Sequence, residues 1–207
     1  MIGLEKDGAL WTVTLDRQDK ANSLTAAMLE RLVEITEEAR EAGEIRALVL
    51  TGAGEKVFSA GADLEEARAG LATSPLWEKV SGGIASLPFL TIAALNGTLA
   101  GGAFGMALAC AIRIAAPDAR FFYPVAKLGF LPQPSDPVRL RALIGPSRTK
   151  LLLLGGQKLS SDEAYDFGLV DRVVLAEHLM DTARDIAEDA CAGNPEILRG
   201  IKAMCDA

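Results

Sequence analysis

The sequence predicts an α/β fold, and three observations carry the prediction. Short apolar runs alternate with segments of helical period along the whole chain. Some runs, residues 47–50 and 90–95 among them, are apolar at nearly every position, as expected of strands covered on both faces. Capping residues and glycines fall where the helical segments should start and stop.

The elements follow in order. Trp11, Val13 and Leu15 alternate with Thr12, Thr14 and Asp16, a half-buried strand. Residues 17–23 read as a loop. Met28, Leu32, Ile35 and Ala39 then recur at helical spacing, with Thr25 as N-cap and Gly43 as the stop. Residues 47–50 form a strand. Ser74-Pro75 opens a helix with proline in its first turn, and Trp77, Val80, Ile84 and Leu87 make its apolar face. Residues 90–95 are a buried strand, 101–111 a glycine-rich helix start and 112–115 a short strand. Asp136-Pro137 caps a helix ending at Gly145. Ser160 and Glu163 form a capping box, and Gly168 ends that helix. Residues 169–174 read as a strand. Leu179, Met180, Ala183, Ile186 and Ala187 make a last amphipathic helix, with a short one after Pro195.

Composition narrows the function classes. A chain of 207 residues, 50% hydrophobic and 24% charged, suits one soluble domain with a real core. Its net charge is 21 − 28 = −7 with no basic run, which disfavours nucleic acid as a partner. The uncharged stretch 80–112 is broken by Pro88 and Asn96 and diluted by glycine, so it reads as buried strand and helix rather than a membrane span. Cys110, Cys191 and Cys205 are an odd number without CxxC spacing. That pattern fits neither a disulfide framework nor zinc, and suits a reducing cytoplasm. The N-terminus shows no secretory pattern, so the expected location is cytoplasmic.

The candidate chemistry starts with glycines. Gly97, Gly101, Gly102 and Gly105 match neither GxGxxG nor GxxxxGK[ST]. Two needs for bare backbone remain: close packing of a helix start on a strand, and an anion or oxyanion site at that start. Ser59 stands in a partial nucleophile elbow, but Val57 replaces the first glycine and His178 is the only histidine, which disfavours a triad. No residue cluster suggests a metal site.

Four segments together carry a resemblance. Residues 58–64 (FSAGADL) resemble the FxAGAD signature of the crotonase, or enoyl-CoA hydratase/isomerase, superfamily. Asn96-Gly97 with 100–103 (AGGA) resembles its second signature. Residues 16–24 (DRQDKANSL) are similar to its R-x-x-K-x-N-A-L loop. Residues 159–164 (LSSDEA) followed by 167–170 (FGLV) are similar to its I-S-A-x-E-A…GLV segment. Their order and spacing match across nearly the whole chain.

The resemblance implies a crotonase-like spiral of ββα units, a core over residues 1–175 and a short helical C-terminus over 176–207. It implies an acyl-CoA thioester as partner, with no separate cofactor because CoA belongs to the substrate. It also implies a homo-trimer or dimer of trimers. Two backbone N–H groups, carried over as those of Ala60 and Gly102, would hold an enolate oxygen. Lys20 and Ala21 would lie by the CoA nucleotide. Gly61, Ala62, Asp63 and Leu64 would line the pantetheine arm, with Gly101 and Tyr123 also on the substrate side.

The chain departs from the family at its acid/base positions. Where hydratases place two glutamates, alignment puts Gly105 and Val125, and the dehalogenase aspartate position falls near Gln133. Asp136, Tyr123, Lys127 and Glu65 remain as possible replacements. Asp136 is the foremost, read against its alternative as a helix N-cap. Asp63 reads as a cap rather than a base. Relatives are expected to run on for a few more helices closing the acyl pocket. The expected function is therefore an enolate-stabilising acyl-CoA enzyme whose reaction is isomerisation, hydration, decarboxylation or hydrolysis. The alternative is a non-catalytic acyl-CoA-binding or scaffold protein of the same fold.

Overall fold

The computed structural model describes residues 1–206. The strands are β1 (Ile2–Asp7), β2 (Leu10–Leu15), β3 (Ala47–Gly52), β4 (Val57–Ser59), β5 (Leu90–Leu95), β6 (Thr98–Ala100), β7 (Ile112–Ala115), β8 (Arg120–Phe122), β9 (Leu159–Ser160) and β10 (Arg172–Val173). The helices are α1 (Ala26–Glu41), α2 (Leu64–Arg68), α3 (Leu76–Ala85), α4 (Phe104–Ala109), α5 (Val125–Leu128), α6 (Ser135–Leu153), α7 (Ser161–Phe167), α8 (Leu179–Ala192) and α9 (Pro195–Cys205).

These elements build a spiral. One sheet has the order β1-β2-β3-β5-β7-β10, and the second has β4-β6-β8-β9. From β2 to β10 the first sheet is parallel, as are β4, β6 and β8 in the second. Each turn lays one strand in each sheet and returns through helix: β3-β4-α3, β5-β6-α4, β7-β8-α6. This is the expected ββα spiral.

The unbroken apolar strands follow from burial on both faces. Leu48, Leu50, Ala93 and Leu95 share one core with Leu29, Leu32 and Ile35 of α1 and Val80 and Ile84 of α3. Ala47, Val49, Ile92, Ala94 and Ile114 point the other way, into a second core with Leu179, Ala183 and Ala187 of α8. Helix α8 therefore covers this face of the sheet. No helix of the described residues is long and apolar enough to cross a membrane.

Several local expectations hold in detail. Thr25 caps α1, its Oγ1 accepting from the Met28 N–H at 3.2 Å. Ser160 and Glu163 complete their capping box, and Gly168 closes α7 with φ 82°. Others need correction. Helix α1 ends at Glu41, because Ala42 has already left helical geometry, two residues short of the glycine. Gly145 (φ 76°, ψ 168°) kinks α6, but Pro146 restarts the helix, which runs on to Leu153. The strand expected over 169–174 shrinks to Arg172–Val173.

Asn96 explains the pairing of its signature. Its Oδ1 accepts from the Gly52 N–H at 3.0 Å, and its Nδ2 donates to Gly54 O at 2.8 Å. A Cβ on Gly97 would lie 2.2 Å from the Lys56 carbonyl, so only glycine lets the two turns touch. Asn22 does the same from the other side, donating to Ala53 O at 2.9 Å and Val57 O at 2.8 Å. These contacts lock the β3–β4 turn where the site is built.

Candidate active site

The three short parallel strands β4, β6 and β8 point their C-terminal ends the same way. The residues leaving those ends are 60–62, 101–102 and Tyr123, the candidate site segments. Ligands in α/β proteins bind at such ends.

Gly61 joins the first two segments. Its φ of 90° turns the chain, and a Cβ there would lie 2.9 Å from Ala100 O and 3.2 Å from Gly102 N. Bare backbone thus packs on bare backbone. Ser59 serves this turn rather than any nucleophilic chemistry. It is fully buried, its Oγ donating to Asn22 O at 2.8 Å and accepting from the Gly61 N–H at 3.2 Å. His178 sits exposed in the 176–178 turn.

The expected pair of oxyanion donors needs one correction. The Ala60 N–H donates to Ala21 O at 3.0 Å, so it is already committed. Two residues on, the Ala62 N–H donates to no acceptor among the described residues, while its neighbours Gly61 and Asp63 hold Leu24. Gly102 stands in the first turn of the 101–103 helical segment, where an N–H has no acceptor within the helix. The Trp77 ring backs Gly102, 3.2 Å from where a Cβ would stand, and its Nε1 is held by Leu71 O at 2.8 Å. Ala62 and Gly102 are therefore the free pair.

Asp63 is a cap, as its position suggests. Its Oδ1 accepts from the Glu65 and Glu66 N–H groups, and its Oδ2 pairs with Arg17 at 2.8 Å. Arg17 and those N–H groups hold the Asp63 carboxyl below the usual range. Leu64 projects into solvent. A cavity of about 500 Å³ opens beside the 18–22 loop, lined by Gln18, Ala21, Asn22 and residues 53–57. Ala21 is among its lining residues. Lys20 does not line it; the cation there is Lys56, which sequence reasoning missed.

Asp136 is the unusual group. It lies in the first turn of α6, fully buried, and its side chain caps nothing. Its Oδ2 accepts from the Tyr123 hydroxyl at 2.8 Å. Its Oδ1 has no partner. That free oxygen lies 3.0 Å from where a Cβ on Gly105 would stand, with Ser81 Cβ 3.5 Å from the same point. The space a side chain at position 105 would fill is the space beside the Asp136 carboxyl. Gly105 is three residues past Gly102, about 5 Å along the helix.

Burial pushes the Asp136 carboxyl up to about 7, with the Glu78 charge adding to the rise; the Tyr123 hydrogen bond and Arg139 oppose it. Tyr123 stacks on Phe104, centroids 5.3 Å apart, and burial beside the carboxyl raises its hydroxyl far above the ordinary range. It stays a donor. Val125 is buried and apolar. Lys127 and Glu65 are exposed.

A raised carboxyl has a stability signature. The unfolded chain ionises Asp136 near its ordinary value, while the fold holds the proton to about 7. Stability from this group is thus whole below pH ~4, falls as pH rises to ~7 and stays lost above, a penalty on the order of 4 kcal/mol. Asp136→Asn should therefore raise the melting temperature by several degrees at pH 8 and leave it nearly unchanged at pH 4. Thermal unfolding at both values checks this. A gain independent of pH would contradict it.

Comparison with known proteins adds the family context. A family profile described as enoyl-CoA hydratase/isomerase matches residues 5–207. A carnitinyl-CoA dehydratase of Salmonella enteritidis is 37% identical, over 97% of this chain and 78% of that protein. A short-chain-enoyl-CoA hydratase of Clostridium acetobutylicum is also 37% identical, over 93% and 76%. The crystal structure of an enoyl-CoA hydratase from Bacillus anthracis superposes with a TM-score of 0.93 at 35% identity, covering 99% of this chain and 82% of that one.

Proposed function

The chain belongs to the enoyl-CoA hydratase/isomerase family, and from that premise we propose an enolate-forming acyl-CoA enzyme in which Asp136 alone carries the proton. The observation that carries this is the free Asp136 Oδ1 beside Gly105, one turn beyond Gly102.

The thioester carbonyl oxygen sits between the Ala62 and Gly102 N–H groups. The Asp136 carboxylate takes a proton from the carbon next to that carbonyl. Electrons move onto the carbonyl oxygen, and the two donors stabilise the charge that develops there. The Asp136 carboxyl then returns the proton two carbons away, the double bond shifts, and the carbonyl re-forms. One group that leaves and returns a proton suffices for this exchange, with no change of oxidation state. The nucleotide end of CoA lies in the cavity by Ala21, with Lys56 near its phosphates.

Double-bond migration is the preferred reaction because Val125 offers no polar atom to hold a water. Hydration is the second reading, favoured by the relatives named as hydratase and dehydratase.

A general base with its pKa near the working pH is effective. Turnover of a 3-enoyl-CoA should rise with pH through an inflection near 7, where Asp136 loses its proton. The pH profile of kcat, with products identified by mass spectrometry, tests this. Hydrated product would select the second reading. A flat profile from pH 5 to 9 would remove Asp136 from the mechanism.

A further inference from the structure

The loop before α6 is tied to α3 by one side chain. Glu78 Oε1 accepts from the Ser135 N–H at 2.9 Å, and Oε2 accepts from the Ser135 hydroxyl at 2.7 Å. Ser135 is the first residue of α6, so Glu78 supplies from another helix the N-terminal acceptor that this helix lacks within itself: Pro134 stands at its cap and offers none. A second tie joins the same loop to the turn before α3, Gln133 Nε2 donating to Ala72 O at 3.4 Å.

The placement matters because the next residue is Asp136. One turn along α3 from Glu78, Ser81 meets the same space beside Gly105 that the Asp136 carboxyl borders. Both Glu78 oxygens accept hydrogen bonds from Ser135. Asp136 accepts from Tyr123 after β8, and the charges of Arg139 on α6 and Glu78 on α3 act on it. From α4 the bare Gly105 faces it.

We propose that Glu78 is a positioning residue: by capping α6 through Ser135 it fixes where the Asp136 carboxyl stands and places a negative charge beside it. The inference rests on the reading of Asp136 as proton carrier. Glu78→Gln keeps one oxygen acceptor for the Ser135 N–H and removes the charge. Glu78→Ala removes both.

The test compares the pH profile of kcat, KM and thermal unfolding for Glu78→Gln, Glu78→Ala and Asp136→Asn. Loss of a like charge favours the ionised carboxyl, so Glu78→Gln should move the inflection down by about half a unit with kcat within tenfold of the parent. Glu78→Ala should lose at least about tenfold in kcat with KM within about twofold. Unshifted inflections and a parental kcat per folded molecule in both variants would overturn the proposal, leaving Glu78 a structural cap. A rise in KM at constant kcat would overturn it too, making Glu78 a substrate contact. Should Glu78→Ala fail to fold, the Glu78→Gln inflection decides alone. Parental turnover in Asp136→Asn would instead sink the reading of Asp136, whatever the Glu78 variants do.

Discussion

Asp136→Asn is expected to lower kcat for the enoyl-CoA substrate by about 10²–10⁴-fold, the usual contribution of a positioned acid or base. Asn matches Asp in size and still offers Tyr123 an acceptor, so packing around Gly105 and Phe104 is kept. What it loses is the ability to take a proton. KM should stay within about threefold, because the carboxyl acts on the reacting atom rather than on binding. The loss is predicted alongside the gain in thermal stability at high pH. A buried carboxyl with an unpartnered oxygen is costly to the fold, and such cost concentrates at sites of function. A variant both stabler and inactive would join the two observations in one group. Steady-state kinetics checks the first half.

The second large effect is expected at the oxyanion turn. Gly102→Pro removes one N–H donor and should lower kcat by about 10²–10³-fold, the measured scale for losing such a donor. The residue also packs on Trp77, so crowding must be separated from the lost hydrogen bond. Gly102→Ala does this. Its Cβ meets the ring at 3.2 Å, as the proline Cβ would, but it keeps the N–H. Overpacking of this kind costs about 1–3 kcal/mol of stability and leaves the donor in place. The expected order is parent above Gly102→Ala, and Gly102→Ala well above Gly102→Pro in kcat. Equal losses in the two variants would point to Trp77 packing and not to an oxyanion donor.

What could be read in the sequence was what local rules control. The Thr25 and Asp63 caps and the Ser160–Glu163 box are contacts within a few residues, and each stands as expected. The continuous runs of β3 and β5 were legible because both faces of that sheet are covered. The strands β4, β6 and β8 have three residues each, too few to show a period of two, yet they aim the whole site.

The chemistry was harder to read for the same reason. Which backbone N–H in residues 60–62 stays free depends on Ala21 O, nearly forty residues away in the chain. An Asp-Pro at a helix start looks like a cap, and only the fold shows Tyr123 and Gly105 closing around Asp136 instead. Glu78 carried no motif at all. Its partner lies 57 residues on, and nothing near it in sequence marks it. Lys56 was a similar case. No sequence pattern singled it out, and only the fold shows the cavity it lines.

The central claim is that a single buried carboxyl moves a proton next to a thioester carbonyl. The most direct measurement is proton exchange in heavy water. The protein and its Asp136→Asn variant are incubated at pH 7.5 with a panel of acyl- and enoyl-CoAs, and deuterium uptake is followed by mass spectrometry. Uptake by the parent that is lost in Asp136→Asn is the predicted result. Undiminished uptake in the variant would place the base elsewhere. No uptake by the parent, with the same esters bound, would contradict proton abstraction by this site altogether.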